Sequence, residues 1–553
     1  MERHHLGLTP RRSLALIALA ALPVAVLAVF FVLPVTGMVR RGFVTDGSWD
    51  AGTVVRVLGR AEIHRAIWFT LWSSSVATAL SVLLGLPAAY ALYRLAFPLR
   101  RLVRAALLVP FVLPTVVVGV AFRELLGESG PLAALHLDGT SAAIVAGLVF
   151  FNVAVVIRSV GAAWESLDAR PAEAAAALGA SPWRVFRTVT LPALRPSIVS
   201  SASVVFLFCA TAYGIVLVLG GLRHNTIETE IYKLTTQFLD LPGAAALSIL
   251  QLLVVVALLT LAGRLRRVTD PTQSRSVVRP GRVGGRDLPQ LLATILLLAL
   301  VAAPIFTLVA GSLRVDGTWS LGNYRALQTP GSNQALPVTA MAALATSLEI
   351  AVAATAMALI LGLLVSVVVT RRSHTRSERR LRSVLDGFFM LPLGVSAVTL
   401  GFGLFITLDR PPVDFRDALW LVPLAQALVA LPLVVRTLVP VLGGIDDRQR
   451  QAAASLGAGA WRTTVTVDLP VVWKPLLAAA GFAFAASLGE FGATSFLVRG
   501  DHPTLPVVIY RLIGHPGAMN YGMALAASCV LAVATALVML LVERLRVPSI
   551  GSF

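Results

Sequence analysis

The chain has 553 residues, 57% of them hydrophobic and only 13% charged, with a mean hydropathy of +0.82. Soluble domains carry about 25% charged residues, and many apolar stretches here exceed the ~18 residues that cross a bilayer as a helix. A soluble globular protein is therefore excluded. So is a β-barrel, which would show short segments of alternating polarity. The net charge of +18 does not indicate a nucleic-acid partner, because the arginines cluster in short loops on one side of the predicted helices.

The first apolar run, from Ser13 to about Val39, follows a basic start. It is too long for a signal-peptide core and reads as an uncleaved first membrane helix. Further spans begin near residues 66, 105, 139, 197, 243, 289, 341, 384, 418, 475 and 521. The expected fold is an all-α polytopic membrane protein of about twelve transmembrane helices. The basic clusters fall on one side of such a chain: Arg11 and Arg12; Arg94, Arg100, Arg101 and Arg104; Arg264, Arg266 and Arg267; Arg371, Arg372, Arg376, Arg379, Arg380 and Arg382; Arg544 and Arg546. Both termini are then expected in the cytoplasm of a plasma (inner) membrane protein.

The two halves of the chain repeat one another. At an offset of 278 residues Arg158 aligns with Arg436, Asp168 with Asp446, Gly179 with Gly457, Trp183 with Trp461, Pro192 with Pro470 and Tyr232 with Tyr510. Pro114 and Pro392 share the offset, and Asp46-Gly47-Ser48-Trp49 answers Asp316-Gly317-Thr318-Trp319 at a slightly different one. Residues 1–263 form a first six-helix half and 289–553 a second. The polar, arginine-, proline- and glycine-rich stretch 264–288 reads as a cytoplasmic linker. Tandem repeats are common in transporters, whose pathway usually lies at the repeat interface.

After the fourth span comes ESLDARPAEAAAALGASPWRVFRTVTLPALRPSI, and after the tenth GGIDDRQRQAAASLGAGAWRTTVTVDLPVVWKPLL. Both fall on the basic side. In the first, the alanine-rich stretch has high helix propensity and a small profile that lets a partner approach closely. Gly179 can end it at positive φ. Ser181-Pro182 suits the start of a second helix, whose Trp183, Phe186 and Val189 share an apolar face. Pro192 is expected to break that helix before the next span. A docking element presented twice predicts a partner with two equivalent sites, such as a dimer.

The pattern Glu-Ala-Ala, then Gly, then Leu-Pro resembles the EAA loop of the permeases of binding-protein-dependent ABC importers, and the resemblance covers nearly the whole chain. In that family the loops, at 164–196 and 442–475 here, couple the permease to two ATPase subunits. The resemblance assigns that role to Glu173, Ala174, Ala175 and Gly179, and in the second half to Gln451, Ala452, Ala453 and Gly457, where glutamine replaces the acidic residue. It implies an ABC ATPase dimer and an extracytoplasmic substrate-binding protein as partners, with alternating access driven by ATP. The fused layout is similar to thiamine and ferric-iron permeases. Residues 206–232 look closer to the thiamine type, while 487–512 suit either.

No enzyme is expected in the chain itself. A P-loop needs Gly-Lys-Ser/Thr, but Lys233 precedes Leu234 and Lys474 precedes Pro475. The histidines form no metal-ligand pattern, Cys209 and Cys529 form no disulfide framework, and no cofactor is called for. Glu490 lies well inside the eleventh span, where a carboxylate must be paired or face water. It either lines a pathway for a cationic solute or makes a structural hydrogen bond. Its repeat position is Ala212, so Tyr213 corresponds to Phe491. That pair reads either as an aromatic gate or as helix packing. Glu349 is expected to be structurally paired. Arg158 and Arg436 are expected to snorkel, and Gly119, Gly401 and Gly403 to permit close helix packing. A twelve-helix secondary transporter driven by an ion gradient would share the helix count, but would not need paired loops of this kind. A non-transporting scaffold is a third reading.

Overall fold

The computed structural model describes residues 10–45, 48–49, 51–221, 223–266, 281–370, 376–389, 391–410, 413–415, 418–498 and 500–545. Most of the expected linker, with Arg267, and also Arg371, Arg372, Arg546, Asp46 and Gly47, lie outside these residues.

The first half begins with α1 (Pro10–Leu27) and α2 (Leu33–Phe43), joined without interruption through the π-turn Ala28–Val32. A hairpin of β1 (Val44–Thr45) and β2 (Ser48–Trp49) follows, then α3 (Ala51–Leu58), α4 (Ala61–Arg94) and β3 (Leu95–Ala96). Next come α5 (Arg100–Leu108), α6 (Thr115–Leu126), α7 (Ser141–Ser166), α8 (Arg170–Ala177), α9 (Pro182–Val185) and α10 (Leu191–Ala210). The half ends with α11 (Gly214–Leu219), α12 (Ile227–Thr236) and α13 (Leu241–Arg266). After β4 (Gly281–Arg282) the pattern returns: α14 (Leu288–Ser312), the hairpin β5 (Arg314–Val315) and β6 (Thr318–Trp319), α15 (Gly322–Ala326) and α16 (Ala340–Thr370). Then follow α17 (Arg376–Phe389), α18 (Ala397–Thr407), β7 (Asp409–Arg410), β8 (Val413–Asp414), α19 (Leu421–Gly443), α20 (Asp447–Ser455) and α21 (Ala460–Thr463). The chain closes with α22 (Leu469–Leu488), α23 (Thr494–Leu497), α24 (Leu505–Gly514) and α25 (Ala518–Leu545). The two strand pairs share one register, Val44 with Trp49 and Arg314 with Trp319.

Among the described residues, ten helices are long and apolar enough to cross a membrane. An eleventh span exists if α5 and α6 are taken as one segment bent by 103°. The sequence suggests continuous third and ninth spans, and both are interrupted. In the first half Pro110 and Pro114 fall between α5 and α6, and neither ring has an N–H to give; Pro110 sits in a 3-10 turn, Val109–Phe111, and Pro114 turns extended at ψ 139° just ahead of α6. In the second half Pro392 lies between α17 and α18, and α17 is too charged to enter lipid. Ahead of the first break, α5 is amphipathic, with Arg101 exposed and Arg100 half-buried.

The chain resolves into two compact units that cut across the sequence halves. Among the described residues, one takes in Asp50–Met341 and Leu505–Ala536, and the other Met1–Trp49, Ala342–Thr504 and Leu537–Ser549. In the former, α4 packs along α7, and α10 lies against both. A stripe of small residues on α4 (Ser73, Ala77, Ser81, Gly85, Ala88) is buried, which is how membrane helices bring their backbones together. A Cβ at Gly85 would sit 2.9 Å from Val156. α14, the opening helix of the second sequence half, packs here on α4 and α6. In the other unit α19 packs on α22, and α2, from the start of the chain, packs on α18. Gly362 meets Val434 there, at 2.5 Å from a built Cβ, repeating the Gly85–Val156 contact.

The expected close-packing glycines behave as such. A Cβ on Gly119 would lie 2.7 Å from Val218, one on Gly403 3.0 Å from Pro34, and one on Gly401 2.5 Å from the Cα of Ala493. Because backbone cannot move aside as a side chain can, Gly401→Ala is expected to destabilise the chain by about 1–3 kcal/mol through overpacking. Gly443→Ala, with nothing within 4 Å, should leave the thermal midpoint of the detergent-solubilised protein unchanged. Equal midpoints for the two variants would refute this account.

Candidate coupling loops and membrane-buried polar groups

Both loops fold into the same device. In the first, an Asp168 carboxylate oxygen accepts from the Arg170 N–H (3.0 Å) at the start of α8. In the second, Asp446 accepts from the Arg448 N–H (3.0 Å) at the start of α20. Each helix ends in a Schellman cap. The N–H of Gly179 reaches Ala176 O, and that of Ala180 reaches Ala175 O. Gly457 reaches Ala454 O, and Ala458 reaches Ala453 O. This cap requires the left-handed residue that glycine provides, and φ is 84° at Gly179 and 82° at Gly457.

Glu173 and Ala174 are exposed and Ala175 is half-buried; Gln451 and Ala452 are exposed and Ala453 is half-buried. The residue in front of each glycine is a leucine. Leu178 is 90% exposed and Leu456 is 89% exposed, and they too are related by 278 residues. Among the described residues these are the two most exposed large apolar side chains, each at a loop tip and at the repeated position. The signal in sequence was a leucine placed directly before a helix-terminating glycine.

The second helix of each loop differs from expectation. Pro192 does not end it: the helix runs from Pro182 to Ala210. The turn before the proline widens into a π-turn at Phe186–Thr190, and Thr464–Asp468 does the same before Pro470. The wider turn accommodates a ring that would otherwise collide with the carbonyl four residues back. Ser181 caps the first of these helices, accepting from the Arg184 N–H at 3.4 Å.

The loops are anchored differently. Under the first, Trp183 stacks on Phe186 (centroids 5.6 Å) and Phe186 on Trp164 of α7 (6.3 Å). Under the second, Arg450 Nε donates to Asp468 (2.8 Å), with side chains 19% and 6% exposed, and Arg450 Nη2 reaches Leu442 O at 3.4 Å.

The candidate pathway residues lie in different surroundings. Glu490 is buried, and its carboxylate folds back on its own chain. Oε1 accepts from the Ala493 N–H (2.8 Å); Oε2 accepts from the Thr494 N–H (3.0 Å) and from the Thr494 hydroxyl. Thr494 Oγ1 also accepts from Gln426 Nε2 at 3.0 Å, and Gln426 Oε1 accepts from Ser487. Phe491 follows, 2% exposed. Tyr213, in the other compact unit, is also buried, and its ring meets Tyr232 edge-on at 5.6 Å. Beside it lies a group that sequence reasoning did not isolate. Glu228 of α12 is fully buried and accepts from Gln251 Nε2 (3.0 Å), while Thr70 Oγ1 accepts from the Ile227 N–H (2.9 Å). At the corresponding position the second half has Pro506, so this polar group belongs to one half alone. Among the described residues no three His, Cys, Asp or Glu side chains could jointly hold a metal ion.

The chain is thus a bundle of membrane helices with one loop of the same design in each half. The family of binding-protein-dependent transport system inner membrane components matches twice, at residues 81–275 and 362–546, and the chain belongs to it. It is a multi-pass membrane protein carrying two permease domains in one polypeptide. The thiamine transport system permease protein ThiP of Brucella abortus (strain 2308) is 28% identical over 535 residues, covering 92% of each chain. ThiP of Escherichia coli (strain K12) is 29% identical over 473 residues, covering 83% of this chain and 85% of its own.

Proposed function

We propose that the chain imports thiamine across the plasma membrane, and that two ATPase subunits seated on the loops at 164–196 and 442–475 drive it. Support for the substrate comes from the relatives named for thiamine transport, which align with this chain over most of their length. The observation that carries the coupling role is the pair of exposed leucines, Leu178 and Leu456, held on identically capped helices. The chain has no P-loop of its own, so hydrolysis falls to the partner. An extracytoplasmic binding protein delivers the substrate, and both termini face the cytoplasm with the arginine-rich loops. Glu173 and Gln451, with the alanines beside them, form the surface around each leucine.

Tyr213, Phe491 and Glu490 remain the residues assigned to the pathway, in different parts. An aromatic ring of either kind suits a planar cationic solute. Glu490, with its oxygens occupied, fixes the turn that presents Phe491.

The test is purification of the tagged chain in mild detergent, followed by uptake of labelled thiamine in vesicles. Two ATPase copies per chain and ATP-dependent uptake are expected. Recovery of the chain alone, with uptake driven by an ion gradient, would favour a secondary transporter. Uptake of ferric iron and not thiamine would replace the substrate.

Gly179→Val combined with Gly457→Val tests the loop geometry. Nothing lies within 4 Å of either built Cβ, so the cost is conformational, roughly 1–2 kcal/mol at each left-handed position. Uptake should be lost while the chain still reaches the membrane. Normal uptake would count against the coupling role.

A further inference from the structure

The end of the linker joining the halves is fastened to the end of α4. β3, which continues α4, pairs in parallel with β4, Leu95 with Gly281 and Ala96 with Arg282. A few residues on, Asp287 Oδ1 accepts from Tyr90 Oη at 2.8 Å. Asp287 Oδ2 accepts from the Gly284 N–H at 3.0 Å. Asp287 immediately precedes α14, the helix that opens the second sequence half. Tyr90 in turn meets Trp164 (5.3 Å), the residue on which Phe186 stacks (6.3 Å), and Phe186 meets Trp183 (5.6 Å). Trp164 is 6% exposed, whereas Trp183, at the loop surface, is 68% exposed. An unbroken row of large rigid side chains therefore runs from the docking loop to the root of α14.

The second half lacks the aromatic residues for such a row. The positions answering Trp164 and Phe186 are Leu442 and Thr464. Taking the Gly85–Gly362 correspondence, Tyr90 answers Val367. The ion pair Arg450–Asp468 stands there instead, at positions occupied by Ala172 and Thr190 in the first half.

We propose that Trp183, Phe186, Trp164, Tyr90 and Asp287 form a one-sided relay that passes displacement of the first coupling loop to the root of α14, making the linker's end a working part of the transporter. Packed aromatic rings are close to incompressible, so a shift at Trp183 reaches Asp287 without being absorbed by rotamer changes. The inference rests on the coupling role proposed above. Tyr90 and Asp287 are positioning residues, since neither is exposed to a partner on the loop.

The test uses the full chain with its ATPase in proteoliposomes and measures thiamine moved per ATP hydrolysed. Tyr90→Phe keeps the ring and removes the hydroxyl; Asp287→Asn keeps the shape and removes the charge. Each is expected to lower the ratio about fivefold. The double variant should be no worse than either single, because both break one link. ATPase recovery and basal hydrolysis should match the wild type. An unchanged ratio in both singles would overturn the relay, as would a double-variant loss equal to the product of the single losses. If the wild-type chain brings down no ATPase, the importer reading itself fails and the relay falls with it. Trp164→Leu, should it reach the membrane, must reproduce the loss, and a normal ratio there counts against the relay.

Discussion

Leu178→Asp combined with Leu456→Asp should abolish recovery of an ATPase subunit with this chain and with it all uptake. Both side chains are almost fully exposed and sit at helix ends held by Schellman caps, so the substitutions remove nothing from the core and the protein should accumulate normally. A central apolar anchor in an interface typically contributes 2 kcal/mol or more, about thirtyfold in affinity. A charge buried against the partner adds a desolvation cost. Two such losses on one chain multiply when the partner engages both sites at once. The single variants are informative because the two loops differ in sequence: Glu173 stands in one where Gln451 stands in the other. Retention of stoichiometric ATPase in the double variant would show that the leucines are not the anchors.

The second large effect is expected at Glu490, and it is an effect on folding. The carboxylate accepts two backbone N–H groups and the Thr494 hydroxyl, and Thr494 is tied to Gln426. Glu490→Ala leaves these donors buried without an acceptor, at roughly 1–3 kcal/mol each where no water can enter. The thermal midpoint in detergent should fall sharply and the yield of monodisperse protein with it. Glu490→Gln retains one acceptor oxygen and should lie between. If Glu490 instead met the solute directly, Glu490→Gln would raise the half-saturating thiamine concentration with an unaltered midpoint. Measuring both quantities on one preparation separates the two roles.

Much of this architecture was legible because lipid imposes a coarse constraint: a spanning segment must be long, apolar and helical. The duplication made the loops conspicuous, since the same Asp, Gly, Trp and Leu-Pro recur at a fixed offset. What could not be read were features set by tertiary neighbours. Pro114 and Pro192 present the same residue type to a sequence reader, yet one follows a 103° break and the other is carried inside a continuous helix by a π-turn. The environment of Glu490 depends on a turn formed three and four residues later. The exposure of Leu178 was hidden because a leucine in an apolar chain attracts no notice until its surroundings are known. Arg450–Asp468 joins residues whose proximity follows from the loop's hairpin path, while their repeat counterparts, alanine and threonine, offer no hint of it.

The grouping of the opening helices bears on how such a chain could arise and be assembled. α14 completes a core otherwise built mainly from the first sequence half, and α2 lies on a core built mainly from the second. A ribosome finishing residue 263 has therefore released a half whose packing surface on α4 and α6 is still uncovered, awaiting a segment not yet synthesised. Severed at the linker, each fragment would carry helices that belong to the other's core, α2 in one and α14 and α24 in the other, so the fragments would be obliged to trade. Fusion turns that trade into an intramolecular event and fixes the supply of the two halves at one to one.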